Sequence, residues 1–380
     1  MEILQYTEEH KIFRDTARKF FENEVKPFAE QWEEDGIVPR SIWKKMGDMG
    51  FLCVDVPEEY GGLGADWLYS VILQEELTRT GFCGVAAPLH SDVVVPYITT
   101  FGSEEIKQKY LPGCVSGDII TAIAMTEPNA GSDLAAMRTT AKRDGDLVII
   151  NGQKTFISNG LLNDLVIVAA KNPDGDNPHK SIDLFVVEDG TPGYEKGKKI
   201  KKAGWHSQDT AELFFSDCRV PLANRLGQDG GGFYMLMEKL QQERLVTAIG
   251  AQAAAENMLA MTIDYCKERT AFGKPISKFQ HNQFKIVEMA TEIKLGRTFL
   301  DKLVADHIEK KSVVVEVSMA KFWITEMACR VADQCLQLHG GYGYCDEYPI
   351  SRAWRDTRVM RIFAGTNEIM RSVAAKFMGL

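Results

Sequence analysis

GFYMLMEKLQQERLVTAIGAQAAAENMLAMTIDYCKER, residues 232–269, decides how the rest of the chain is read. It holds no proline and one internal glycine, Gly250. Its apolar residues recur at three- and four-residue spacing, which predicts one α-helix. At 1.5 Å per residue that helix runs to roughly 55 Å, far beyond an average globular helix. Two more long helical patterns follow at 278–311 and 313–338, and two shorter ones at 349–363 and 367–380. Long helices with short connections imply an antiparallel bundle.

Before this stretch the texture is different. IITAIAM (119–125), TTAKR (139–143), LVIIN (147–151), KTFIS (154–158), LVIVAA (165–170), SIDLFVVE (181–188) and AELFFSDCRV (211–220) are short β-rich runs. Asp144-Gly145, Asn151-Gly152, Asp174-Gly175 and Pro192-Gly193 lie between them as turn signals. No long helix separates the runs, so an antiparallel barrel or sandwich is predicted rather than βαβ units. The first ~120 residues read as helices again. Thr7 is placed to cap the first, with Glu8 and Glu9 in its first turn and a stripe of Ile12, Phe13, Ala17, Phe20, Phe21 and Val25. Pro27 ends or kinks that pattern. The fold class is therefore α+β, mostly α: an N-terminal helical domain (1–118), a central antiparallel β-barrel or sandwich domain (119–228) and a C-terminal four-helix bundle (229–380).

Composition narrows the function. The chain has 380 residues, 45% hydrophobic and 26% charged, with a net charge of −9. So large an apolar share excludes disorder as the main state, and the acidic balance argues against a nucleic-acid partner. No stretch approaches the ~18 apolar residues of a membrane span, and the N-terminus lacks the basic and apolar regions of a secretory signal. The eight cysteines are scattered without a CxxC pair, and the seven histidines show no ligand pattern, so no metal site is expected. The cysteines read as reduced thiols in a reducing compartment.

Among the acids, Glu243 stands out. At 100° per residue it shares a face of the long helix with Phe233, Leu236, Leu240, Thr247, Gly250, Ala254 and Met258. A carboxylate in an apolar stripe is paired, protonated or functional. A salt bridge to Arg244 or to a lysine on another helix is the plain alternative to catalysis. TEPNAGSD (126–133) suits a polar ligand, while HGGYG (339–343) reads as a helix stop or as backbone that approaches a ligand closely. YEKGKKIKK (194–202) reads as a solvated strand edge. No nicotinamide-type GxGxxG, P-loop or nucleophile elbow is present.

Six stretches, PEEYGGLG (57–64), AMTEPNAGSD (124–133), NGQKTFISNG (151–160), RTAFGKPISKFQ (269–280), QLHGGYGY (337–344) and GTNEIM (365–370), together resemble the acyl-CoA dehydrogenase family in order and spacing. Within it the chain looks most like the long-chain branch, through LHSDVVVPYI (89–98), LQQER (240–244) and its C-terminal ending. The resemblance implies a flavoprotein oxidoreductase of fatty acid β-oxidation. It would bind FAD non-covalently, assemble as a homotetramer and pass electrons to an electron-transferring flavoprotein. It would be cytoplasmic in a prokaryote, or in the mitochondrial matrix as a processed eukaryotic form.

Carried over residue by residue, the resemblance implies flavin contacts from Ile123, Ala124, Met125 and Thr126, with Ser132 near the pyrophosphates of flavin and substrate. Phe156, Ile157 and Ser158 match the segment on the ring. Phe156 stands where a Trp often packs and Ser158 where a hydroxyl lies near flavin N5, both departures in identity from the commonest form. Arg269, Phe272 and Gln280 match groups reaching the FAD of an adjacent subunit, and Gln337, Leu338, His339, Gly340, Gly341, Thr366, Asn367 and Glu368 match the remaining contacts. For the substrate, Ser132, Tyr234, Gln241, Arg244, Ala364 and Gly365 match acyl-CoA positions.

One departure bears on mechanism. Many members carry the catalytic base in an EGT motif, where this chain has Ala364-Gly365-Thr366. The long-chain and isovaleryl branches supply it from the long helix, at the position of Glu243. The resemblance thus implies Glu243 as the base, the Ala364 N–H and a flavin ribityl hydroxyl polarising the thioester carbonyl, and a medium- to long-chain acyl-CoA as substrate. A branched short-chain dehydrogenase shares the helix-borne base. An oxidase or flavin monooxygenase, and a non-catalytic assembly protein on the same fold, are the remaining alternatives.

Overall fold

The computed structural model describes residues 3–175, 177 and 180–380. Six helices come first: α1 Glu8–Glu24, α2 Ala29–Asp35, α3 Arg40–Asp48, α4 Trp67–Arg79, α5 Val95–Phe101 and α6 Glu104–Ser116. Thr7 caps α1 as expected, accepting from the His10 N–H at 3.3 Å while the His10 ring contacts the Thr7 N–H. Ala17, Phe21 and Val25 are buried, but Ile12 is 66% exposed. It lies about 140° around the helix from Ala17, off the apolar face. α1 stops at Glu24, and Pro27 sits in a single 3-10 turn, Lys26–Phe28. Just before α5, Leu89–Val94 winds as a π-helix, buried from His90 to Val94.

Eight strands follow: β1 Thr121–Ala124, β2 Thr140–Asp144, β3 Leu147–Ile157, β4 Leu165–Lys171, β5 Ile182–Glu188, β6 Tyr194–Lys199, β7 Ala211–Pro221 and β8 Arg225–Leu226. Their order is β6-β7-β3-β2-β4-β5-β8, with β1 beside β4. The pairing is antiparallel except for β1 with β4 and β2 with β4, which are parallel. LVIIN and KTFIS are not two strands but one, β3. The expected turn at Asn151-Gly152 is instead a bulge, where the register against β7 shifts between Ile150 and Gly152. A Cβ at Gly152 would fall 2.7 Å from the Thr139 Cα, so glycine is required there for close approach rather than for reversal. The turn at Gly145 is real: β2 and β3 close at Asp144 opposite Leu147. The Asp174-Gly175 signal borders residues 176, 178 and 179, which lie outside the described residues. β6 is an edge strand, as its lysines suggested.

The third part holds α7 Gly232–Glu268, a small hairpin of β9 Thr270–Ala271 and β10 Lys274–Pro275, α8 Gln280–Ile308, α9 Val314–His339, α10 Pro349–Thr357 and α11 Asn367–Phe377. α7, α8 and α9 pack on one another and α11 closes on α9. Strand β4 shows how the parts join. Leu165, Ile167 and Ala169 enter a core shared with both sets of helices, and Val166, Val168 and Ala170 enter a second core enclosed by the strands. An ion network of Arg14, Arg18, Glu256 and Arg297 around the buried Glu75 and Glu76 ties α1, α4, α7 and α8 together. Among the described residues no helix is long and apolar enough to cross a membrane.

Candidate active site

The stripe on α7 carries Glu243 into the interior, where it is 5% exposed. Its Oε1 accepts a hydrogen bond from the Tyr97 hydroxyl at 2.7 Å. No hydrogen bond to Oε2, and no ion pair to Glu243, occurs among the described residues. Arg244 turns away, its Nη1 donating to Ser318 Oγ on α9 at 3.4 Å while its buried Nε has no partner. The salt bridge weighed above is therefore not formed. Burial pushes the Glu243 pKa up to about 7, and the Tyr97 hydrogen bond and the Arg244 charge pull the other way. Near neutral pH this carboxyl is poised to take or give a proton.

Neighbouring contacts fix α7 in register. Gln242 Nε2 donates to the Asp92 carbonyl of the π-helical turn at 2.8 Å, and Lys239 Nζ donates to Thr100 Oγ1 of α5 at 2.7 Å. Further along the stripe, a Cβ at Gly250 would sit 3.1 Å from Gln74 Nε2 of α4, which itself donates to the Val246 carbonyl at 2.5 Å. Gly250 is thus a packing position. The Gln241 amide binds the α8–α9 connection, accepting from the Val313 N–H at 3.0 Å and donating to the Lys311 carbonyl at 3.2 Å. Tyr234 is exposed in the first turn of α7.

A second group gathers at Ala364 and Gly365, whose φ angles are 52° and 86°. The fully buried Lys321 of α9 donates to the Gly365 carbonyl at 2.7 Å and to Asn367 Oδ1 at 3.1 Å. Burial, then the Arg244 charge, pulls the Lys321 pKa down to about 7. Arg244 therefore acts on both this loop and Glu243. Thr366 caps α11, accepting from the Ile369 N–H at 3.3 Å. The Asn367 side chain is buried in bonds to α9, and Glu368 is exposed. Phe363 meets the edge of Trp205, which belongs to the β6–β7 connection, with ring centroids 5.5 Å apart.

The third group lies on the sheet. The Thr155 N–H donates to the Thr126 carbonyl at 2.9 Å, joining the two motifs. Ile123, Ala124 and Ile157 are buried, while Met125, Thr126 and Ser158 are half-buried and Ser132 is exposed. Phe156 adopts a φ of 58° and leaves 63% of its surface bare, an aromatic face held outward at a conformational cost. Behind it Lys154 Nζ pairs with Glu127 Oε1 at 2.8 Å, and both are buried.

The fourth group stands at the far helix ends. The Arg269 guanidinium lies 5.6 Å from the Tyr342 ring centroid, Tyr265 stacks on His339 at 4.2 Å, and Phe272 is 96% exposed. Burial pulls the His339 pKa down, and its Nδ1 lies 2.8 Å from the Cys335 carbonyl. Gln280 and Gln337 are exposed, Leu338 is half-buried, and a Cβ on Gly340 or Gly341 would meet nothing within 4 Å. Arg269 is about 39 Å from Glu243 along α7, so one chain does not bring this group to the carboxylate.

Hydroxyls beside a bare aromatic face suit a planar ring with polar edges. An open glycine backbone beside an arginine suits a nucleotide. The donor sets fit FAD. Sequence reasoning missed Tyr97 and Lys321. Their roles come from contacts 146 and 44 residues away, for which the local sequence carries no signal.

Three family models match the chain, the acyl-CoA dehydrogenase N-terminal, middle and C-terminal domains, over residues 7–118, 122–218 and 230–379. A mitochondrial long-chain specific acyl-CoA dehydrogenase of Rattus norvegicus is 46% identical over 98% of this chain and 86% of its own. A mitochondrial isovaleryl-CoA dehydrogenase of Solanum tuberosum is 36% identical over 98% and 91%. The crystal structure of an acyl-CoA dehydrogenase from Geobacillus kaustophilus superposes with a TM-score of 0.97 at 57% identity, covering 99% of both chains.

Proposed function

The chain belongs to the acyl-CoA dehydrogenase family, and on that premise we propose that it performs FAD-dependent α,β-dehydrogenation of medium- to long-chain acyl-CoA thioesters to trans-2-enoyl-CoA. The observation that carries the reading is Glu243, a buried carboxyl with one oxygen held by a neutral donor, the other free, and no ion pair among the described residues. Such a group takes a proton near neutral pH without a countercharge to neutralise first.

Thr126, Ser132, Phe156 and Ser158, with the main chain of Ile123 to Met125 and Ile157, would hold the flavin ring and its first phosphate. Arg269, Phe272, Gln280 and Gln337 to Gly341 would hold the nucleotide end from a second subunit, which makes a homotetramer or its constituent dimer the active form. Bound FAD supplies the two-electron acceptor for the hydride that leaves the β-carbon. Lys321 holds the Gly365 carbonyl, and so presents the Ala364 N–H to the thioester oxygen as a donor to the developing enolate. Glu243 accepts the α-proton on Oε2. Tyr234 and Arg244 face the CoA side. The three domains take residues 1–118, 119–228 and 229–380, and an electron-transferring flavoprotein receives the electrons. Cytoplasm, or mitochondrial matrix for a processed eukaryotic form, is the fitting location.

A branched short-chain substrate is the second reading, favoured by Gln74 of α4 packing against Gly250 on the face of α7 that carries Glu243. The experiment that separates them mixes the anaerobic holoenzyme with acyl-CoAs of increasing length and follows flavin bleaching. Reduction rates that rise with length into the dodecanoyl range support the first reading. Fastest bleaching by isovaleryl-CoA supports the second, and no bleaching by any thioester overturns both.

A further inference from the structure

Tyr97 is fully buried, lies on the helix that follows the π-helical turn, and spends its hydroxyl on one atom, Glu243 Oε1. We propose that Tyr97 is a positioning residue for Glu243: it holds Oε1, leaves Oε2 as the oxygen that takes the substrate proton, and favours the carboxylate over the acid where no countercharge touches it. This rests on reading Glu243 as the base.

The argument is one of orientation and charge. A carboxylate with both oxygens unbound would rotate and present either one, whereas a bond at Oε1 leaves a single reactive face. A hydrogen bond to an ionised acceptor is worth more than one to its neutral form, so the phenol favours the carboxylate over the acid. Burial, then the Glu243 charge, pushes the Tyr97 pKa well above its ordinary value, so the phenol remains a donor at any working pH. The contacts of Gln242 with Asp92 and of Lys239 with Thr100, whose acceptors bracket Tyr97, fix its segment against α7.

Other groups around this part of α7 are occupied elsewhere. Arg244, Glu238 and Lys239 share its helix; Arg244 acts on Glu243 by charge alone, and Glu238 acts on Tyr97. Asp92 on the π-helical turn, pushed up to about 7 by burial and then Asp55, offers its carbonyl to Gln242. Lys321 on α9 is bonded to the Gly365 loop, and His307 on α8 meets Gln241 and Trp67. Glu75 and Glu76 on α4 face arginines. Tyr97 is left as the only hydrogen-bond donor to the Glu243 carboxyl among the described residues.

The test follows flavin reduction in a single anaerobic turnover of the holoenzyme from about pH 5.5 to about pH 9, using the acyl-CoA that reduces the wild type fastest. Tyr97→Phe is expected to move the acid limb up by about one pH unit, giving about tenfold slower reduction below the limb and recovery at high pH. 3-Fluorotyrosine at position 97, a stronger donor of nearly the same shape, should move the limb down. It also decides the question should Tyr97→Phe fail to fold. A purely structural role lowers the rate equally at every pH, and that result, or an unmoved limb in Tyr97→Phe (in the 3-fluorotyrosine protein, should Tyr97→Phe not fold), overturns the proposal. Glu243→Gln separates the two layers. If it reduces flavin at the wild-type rate, base and positioning assignments fall together. If it is inert while the Tyr97→Phe limb stays in place, the Tyr97 assignment alone falls.

Discussion

Glu127 and Glu243 are both glutamates at 5% exposure, yet the protein treats them in opposite ways. Glu127 is surrounded by donors: Lys154 Nζ at 2.8 Å, the Arg138 N–H at 2.6 Å and the Thr139 N–H at 3.0 Å. Burial raises its pKa, but the Lys154 charge and these hydrogen bonds outweigh that and hold the carboxyl below its ordinary range. Glu243 has one phenol, and burial wins. A buried acid with a countercharge behaves as structure, here bracing the loop beneath Thr126 and Phe156. A buried acid without one is destabilising for the fold at neutral pH, and the expectation is that catalysis accounts for its retention.

The contrast is open to attack on both sides. Lys154→Met should be the most damaging change to stability, about 3–5 kcal/mol, because it strands the Glu127 charge in the interior. The loss, read from Tm of the holoenzyme, should shrink as pH falls, because burial without the Lys154 charge raises the stranded carboxyl's pKa and it takes a proton. Glu243→Gln should do the reverse. A carboxyl raised from 4.5 to about 7 contributes stability that is fully present below 4.5 and lost as pH rises through 7. The variant should therefore gain up to about 3 kcal/mol above pH 7 and nothing near pH 4.5, seen as a Tm advantage that appears only on the alkaline side. An equal gain at both ends would place the effect in packing rather than charge. The third and smallest effect belongs to the Ala364–Gly365 loop. Lys321→Met leaves the Gly365 carbonyl without its buried donor and should slow turnover about tenfold with FAD retained, measured as kcat against flavin content. Unchanged turnover would remove Lys321 from any part in presenting the Ala364 N–H.

Much of this was legible because it is local. The Thr7 cap, the α7 stripe that flags Glu243, and the alternation of strands with turn residues are periodic or adjacent features. Asn151-Gly152 misled because the dipeptide that makes a tight turn also permits a bulge, and the choice belongs to Thr139 across the sheet. Ile12 misled because hydrophobic identity is no guarantee of a place on the buried face. The contrast between the two glutamates could not be read at all. Lys154 sits 27 residues from Glu127 and Tyr97 sits 146 from Glu243, and only the folded chain shows which acid meets a charge and which a phenol.

The central claim is that Glu243 takes the substrate proton. It is tested most directly by a single anaerobic turnover of Glu243→Gln holoenzyme, loaded with FAD and shown to bind acyl-CoA, while flavin absorbance is followed. Gln keeps the size and the bond to Tyr97 but accepts no proton, so flavin reduction should slow by about 10²–10⁴-fold or more with binding intact. Reduction at the wild-type rate would contradict the account.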